Sequence, residues 1–436
     1  MHLTKLSEAF LRSAAYERRF LAKNHWDLSM VVWIPLATVL LIWWIFSQTQ
    51  ITDLPIGVID QDNSAVANTT VRYLEASPTL TVRQLYYSPA DAEAAILQRD
   101  IYAVVIIPED FSRNILSNKP APLILQVNAQ YGTHSGIIQT AVQAVASTLS
   151  AGVEIKRLVK QGVGPSQAMT AYSPISIQRI SLFNAATDYQ QFLASTVIPA
   201  LLHILAMVVG ATTIGRELRD KNIGHWYRFI STGTPDLALV KSSKKAAALN
   251  TTQDSTNNTA PSSDSKMPNS VSISVLLSGL LGKYFWPILA YSLWSALVLW
   301  LVTSNQNISI GSIIAVYIGL LCLMILSFWL GAIFTLNSFS LRMGLSTTGF
   351  ISAPSYAFAG VTFPYIAISD SAQYWSNALP LTHYLKLHIA QLQMQAPIAI
   401  SVPIVYGLAL ATIIAMLLTA LLTKRALAHP ERWGAR

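Results

Sequence analysis

The chain has 436 residues, 52% of them hydrophobic and 11% charged, with a mean hydropathy of +0.43. That balance excludes an ordinary soluble enzyme and a disordered chain, and fits a protein whose main solvent is the bilayer. The net charge of +8 reads as Lys and Arg of cytoplasmic loops, not as a nucleic-acid surface, and the single cysteine, Cys322, excludes an intrachain disulfide and a CxxC metal knuckle.

Residues 1–27 form a charged, amphipathic arm carrying Lys5, Arg12, Arg18, Arg19 and Lys23. The apolar stretch 28–48 follows, rich in Trp and without a small-residue cleavage site, so it reads as an uncleaved first transmembrane helix. Residues 49–191 have the polarity of a soluble domain. Its predicted order is a strand (Ile56–Ile59), helix (Ala65–Glu75), strand (Leu80–Leu85), helix (Pro89–Gln98), strand (Ala103–Ile107), short helix (Pro108–Leu116), strand (Leu123–Val127) and a long helix over Thr133–Lys160. Strands alternating with helices imply a sheet covered by helices. Asp60 and Asp62 read as turn and cap residues; a hard cation would need further oxygen ligands, and no second cluster supplies them.

Further spans are predicted over 192–214, 284–303, 308–336, 345–367 and 398–423. Arg216, Arg219, Lys221, Lys424 and Arg425 flank the second and sixth, whereas the link 304–307 between the third and fourth is uncharged. The positive-inside rule then makes both termini and the loop 215–240 cytoplasmic, and the inserted domain extracytoplasmic. The fold class expected is a polytopic α-helical membrane protein with six transmembrane helices and an extracytoplasmic α/β domain between the first two. Residues 241–274, rich in Ser, Thr, Asn and Lys, lack the apolar surface to offset ordering entropy and read as a disordered insertion, either a spacer or a docking segment. The last spans occupy 275–423, and 424–436 is a tail.

No nucleophile–base pair, paired carboxylates, metal-spaced His/Cys cluster or GxxxxGK[ST] loop occurs, so any nucleotide chemistry must sit on a separate subunit. The spans hold essentially no acidic residue, which weighs against ion coupling. His203 is the one ionisable group near a span centre, and a lone histidine there reads first as an interhelical hydrogen-bonding group.

Two motifs remain. The first, GRELRDKNIGHWYRFISTGTP, starts with Arg216, Glu217 and Arg219, passes Gly224 and Trp226, and ends at Pro235; its residues describe a short amphipathic helix at a membrane face, where interfacial anchoring is the plain reading. The second runs from Phe358 to Tyr384 and contains Gly360, Phe363, Pro364, Trp375, Pro380, His383 and Tyr384. Gly and Pro within a span are tolerated where the freed backbone is buried in protein or lines a cavity; an aromatic interface belt with kinks is the alternative.

In this order these segments, together with LPIGVIDQDNS (54–64), the stretch ending IIPEDFS (106–112) and the Leu281-Gly282-Lys283 triplet, resemble type-2 ATP-binding-cassette (ABC-2) export permeases with a large periplasmic domain. The resemblance covers nearly the whole chain; the insertion and the residues around Gly224, with His225 and Trp226 after it, depart from the family pattern. It implies a transport subunit that is not itself an enzyme, moving an amphipathic, lipid-like or drug-like substrate outward across a bacterial inner membrane. Arg216, Glu217, Arg219, Gly224, Trp226 and Pro235 would belong to a coupling helix docked on cytoplasmic ABC ATPase subunits, which would hold ATP and Mg; this chain would bind no cofactor and no metal. The second motif would be a re-entrant extracytoplasmic gate, with Phe363, Trp375 and Tyr384 as an aromatic lid. Lys283 is expected at the interface, snorkelling or meeting an anionic headgroup. The expected partners are a second permease copy or paralogue and membrane lipid, with room for a periplasmic adaptor and outer-membrane channel, and no nucleic acid. The competing classes are an ion-coupled secondary exporter and an envelope scaffold or receptor.

Overall fold

The computed structural model describes residues 2–48, 50–117, 119–164, 166–167, 183–184, 188–233, 271–304 and 306–434. Residues 50–182 form one body and the remainder another. Pro235 and residues 241–270 of the predicted insertion lie outside the described residues.

Helix α1 (His2–Lys23) buries Ala9, Ser13, Ala14, Glu17 and Leu21, a spacing that puts them on one face. Helices α2 (His25–Val31) and α3 (Trp33–Ile45) meet at a 41° bend, and as a pair are long and apolar enough to cross a membrane. The apolar segment predicted as 28–48 is therefore a bent pair of helices, shifted towards the N-terminus to 25–45.

The second body begins with β1 (Leu54–Asp60), α4 (Ala65–Glu75), β2 (Leu80–Leu85), α5 (Pro89–Gln98) and β3 (Ala103–Ile107), and continues through α6 (Phe111–Leu116), β4 (Ile124–Val127) and α7 (Gly132–Lys160). The strand order is β2-β1-β3-β4, with β1 parallel to both β2 and β3, and β4 antiparallel to β3. Ser64 and Ser88 cap α4 and α5 by accepting the N–H groups of Ala67 and Asp91. The core joins Ile56, Val58, Val105 and Ile107 of the central strands to Leu74 of α4 and Ile138 and Val142 of α7.

Helix α6 starts later than the predicted Pro108. Asp110 adopts a left-handed conformation (φ 60°), so Pro108 lies in the preceding turn and not at the first helical position. The missing cap comes from another loop: Asp62 accepts the Ser112 N–H at 3.1 Å and its hydroxyl at 3.2 Å, while Asp60 accepts the N–H groups of Asp62 and Asn63, each at 3.0 Å. Burial acts to raise the Asp62 carboxyl, but hydrogen bonds from Ser64, Ser112 and the Phe111 N–H outweigh it and hold its pKa below the ordinary value. A depressed carboxylate pKa contributes stability that is present above the unfolded value of about 3.9 and lost as pH falls through the folded one. Asp62→Asn should accordingly make this body several-fold more sensitive to limited proteolysis of the full chain at neutral pH. The gap from wild type should close below the usual carboxylate range.

In the first body the chain resumes with a π turn (Gln190–Ala194) and α8 (Ser195–Arg219), then α9 (Ile223–Thr232), α10 (Ile273–Thr303) and α11 (Ile310–Ser338). Next come α12 (Leu341–Ser352), α13 (Ser355–Phe358), α14 (Asp370–Ala378), α15 (Pro380–His388), a second π turn (Ile389–Gln393) and α16 (Ile398–Ala428). Helices α8 with its π turn, α10, α11 and α16 are each long and apolar enough to cross a membrane, and α7 of the other body passes the same length and composition test.

Three predicted bounds change. Helix α8 runs on to Arg219, so Gly215, Arg216 and Glu217 end a span instead of opening a loop; the turn comes at Lys221, which is left-handed (φ 55°). Helix α10 starts at Ile273, more than two turns before the predicted Tyr284, and takes in the last two positions of the predicted insertion. The predicted fifth span, 345–367, is not one helix: α12 is 12 residues long, about 18 Å, and gives way to α13 and a left-handed Gly360 (φ 78°). Pro354, which cannot donate its backbone nitrogen, sits at the break.

Close contacts hold the spans. Gly210 of α8 and Gly331 of α11 let the backbones touch, and the Tyr284 hydroxyl donates to the Gly210 carbonyl at 2.8 Å. Buried Gln391 accepts the Ser312 hydroxyl and donates to the Ser401 hydroxyl, both at 2.8 Å, while Gln393 ties the second π turn to the first through the Gln191 carbonyl at 3.0 Å. Helix α1 and the last described residues pack near the end of α8: Arg12 reaches the Ile230 carbonyl at 3.5 Å, and Gly434, whose N–H donates to the Phe339 carbonyl at 3.2 Å, lies against the Arg219 carbonyl.

Candidate functional site

Helix α9 sits at the end of α8 with one face turned inward. Ile223, Gly224, Trp226, Tyr227 and Ile230 are buried. The Trp226 indole N–H donates to Ser13 of α1 at 3.1 Å, and the Tyr227 hydroxyl accepts the Ser272 N–H at 3.1 Å just before α10. Gly279 of α10 leaves room for Ile230, whose Cδ1 would be 2.3 Å from a Cβ at that position. The helix is thus fastened to α1, α8 and α10 together.

Above it lies a buried charge cluster. Arg216 binds both carboxylate oxygens of Glu17, and Lys283 reaches Glu217 at 2.7 Å and Glu17 at 3.4 Å. Asp27, partly exposed, stands 3.7 Å from Arg216. The Arg216 Nε makes no hydrogen bond, but Glu217 lies 3.9 Å away, close enough for attraction. The four fully enclosed charges, two positive and two negative, cancel. Arg216 also lies over the Phe20 ring at 3.8 Å, and Lys283 stands 5.0 Å from the Tyr16 ring and 5.4 Å from that of Trp226. Cancellation and this polarisable lining allow four ions to leave water, where each alone would cost several kcal/mol.

Of the residues singled out in the first motif, Arg216, Glu217, Gly224 and Trp226 come together, but facing inward. Arg219 is exposed and pairs with its neighbour Asp220 at 2.8 Å, and Pro235 lies outside the described residues. Lys283 is fully buried in an ion pair, which overturns its expected snorkelling or headgroup contact: α10 begins at Ile273, well before it, and Glu217 offers what a headgroup would. Glu17 was not singled out, because an acidic residue in a charged arm looks solvated until its partner 199 residues away is known. The only signal was its place on the apolar stripe of α1.

The second motif forms a folded hairpin. The Ser376 hydroxyl of α14 donates to the Phe358 carbonyl at 2.8 Å, Asn377 donates to the Tyr365 hydroxyl at 2.9 Å, and His383 hydrogen-bonds with the Asn377 carbonyl at 2.9 Å. Pro380 opens α15 and Pro364 is exposed. Phe363 and Trp375 are exposed at 53% and 40%, but Tyr384 is fully buried beside His388. The three aromatics therefore do not form one lid; Tyr384 lies on the inward face of α15 with Leu381, Leu385 and His388. His203 shares a 2.6 Å hydrogen bond with Ser327 of α11, joining two spans.

Long apolar helices with glycine-mediated crossings define a multi-pass membrane protein. The chain matches the family model described as ABC-2 family transporter protein over residues 25–242, half its length, and belongs to that family. It is a permease subunit of an ABC transporter. The matched region covers α2 to α9, and the hairpin around Gly360 lies beyond it. No curated protein and no solved structure matches the chain.

Proposed function

We propose that this chain is the membrane half of an ATP-driven exporter that moves an amphipathic, lipid-like or drug-like substrate outward, paired with a second copy or a close relative and powered by separate cytoplasmic ABC ATPases holding ATP and Mg. The observation that carries this reading is the fastening of α9 to α1, α8 and α10 through Trp226, Tyr227 and Ile230 beneath the charge cluster. A force on α9 reaches a span on either side of it without a flexible link. ATPase closure would bias inward- and outward-open states only by its differential affinity for them.

The same end of the bundle carries Lys5, Arg12, Arg18, Arg19, Lys23, Arg219, Lys221, Lys424 and Arg425, which supports a cytoplasmic position by the positive-inside rule. The α/β body would then be extracytoplasmic, and the hairpin 360–384, at the opposite end, would narrow the outer path. A bacterial inner membrane, with an adaptor and outer-membrane channel as further partners, completes the reading.

On this reading the ATPase meets the outer side of α9 and the turn before it, where Arg219, Lys221, Ser231 and Thr232 are exposed. A tagged chain purified in mild detergent should recover a P-loop ATPase by mass spectrometry. Arg219→Glu with Lys221→Glu should abolish that recovery while leaving the buried cluster intact. Failure of the wild-type chain to recover any ATPase, at confirmed expression, would reject the proposal.

A further inference from the structure

Helix α1 divides its charges between two sides. Its inward face sends Glu17 to Arg216 and Lys283, and Asp27, just beyond its end, also turns to Arg216. These are the two acids of the stretch 16–27. The cations of the same stretch go the other way: Arg18, Arg19 and Lys23 are exposed and have no carboxylate within ion-pair distance among the described residues. Arg19 and Lys23 are one turn apart, and Arg18 adjoins them. Further along, Glu8 is already taken by Arg12 at 2.7 Å. The internal cluster thus removes the local negative charge and leaves an outward field of three cations.

The surroundings indicate what meets that field. Asn24 alone separates α1 from the bent pair α2–α3 that enters the membrane. Trp26 and Trp33, 73% and 60% exposed, follow directly, and Leu11 on the outer side of α1 is 63% exposed. Exposed Trp beside basic residues at the mouth of a span is the composition of the headgroup layer. We propose that Arg18, Arg19 and Lys23, flanked by Trp26, form a binding site for the phosphodiester headgroups of anionic phospholipids, holding α1 flat on the leaflet surface. The attraction is charge complementarity: basic side chains near an anionic surface add up, and salt screens them.

The test uses the full purified chain equilibrated with an equimolar mixture of phosphatidylglycerol and phosphatidylcholine, with retained lipids resolved by class. The wild type should retain phosphatidylglycerol preferentially, and R18Q/R19Q/K23Q should lose that preference by on the order of tenfold or more. The charge-conserving R18K/R19K/K23R should keep it, and raising the salt should collapse it in the wild type, a readout that stands if the glutamine variant fails to fold. Competition by inorganic phosphate should be weak, since a free ion lacks the anchored surface. Equal retention of both lipids by the wild type, or an unchanged preference in the glutamine variant, would overturn the proposal. So would a glutamine variant that keeps its lipids and loses the ATPase instead, because the patch would then serve a protein.

Discussion

Lys283→Met is expected to destabilise the protein by about 3–5 kcal/mol, because it leaves Glu17 and Glu217 enclosed with Arg216 as their only full counter-charge. Met keeps most of the packing volume, so the loss is electrostatic. The companion double variant, Lys283→Met with Glu217→Gln, removes one charge of each sign and restores neutrality; it should recover at least half of the lost stability. Thermal unfolding in detergent, read with the yield of membrane-inserted protein, gives both values. A single variant as stable as wild type would show that the cluster is not enclosed. Transport is a separate readout: if the cluster passes α9 motion to the spans, the double variant should be folded yet impaired in ATP-dependent efflux.

Gly331→Ala should be the most damaging single-methyl change in the bundle. A Cβ there would stand 2.0 Å from the Met207 carbonyl oxygen and 2.8 Å from the Ala211 nitrogen, both backbone atoms that no rotamer change can move. Gly210 is the reciprocal case, at 2.2 Å from the Phe328 carbonyl. Either substitution must push α8 and α11 apart, at about 1–3 kcal/mol for overpacking, and Gly331→Leu should leave no folded protein. Gly349→Ala and Gly407→Ala are the controls: nothing lies within 4 Å of either new methyl, so both should be close to neutral. A neutral Gly331→Ala would mean that the two spans do not cross there.

Local chemistry was legible where it was strong. In the α/β body the predicted spans 65–75, 80–85, 89–98 and 103–107 coincide with α4, β2, α5 and β3, because Ser caps and short β-branched apolar runs such as the fully buried AVVII of β3 act within a few residues. Helix α6 departed from its predicted start because its cap, Asp62, comes from a loop 50 residues earlier. The charged run after span two was misplaced for the same kind of reason. Arg216 and Glu217 look like loop residues in isolation, and they remain helical because Glu17 and Lys283 neutralise them.

The sequence by itself determined the solvent, the strand–helix alternation of residues 54–127, most of the long apolar helices and a break near Gly360, all properties of composition or of short-range backbone sterics; the break at Pro354, inside the predicted span 345–367, it did not show. Only the tertiary structure decided which charges are enclosed, which Trp and Tyr face inward, and that α1 is part of the bundle instead of a free arm. Those outcomes depend on contacts such as Glu17 with Arg216, 199 residues apart, and Lys283 with Glu217, 66 apart. No local pattern records them, since an ion enters a low-dielectric interior only when its distant partners are already in place.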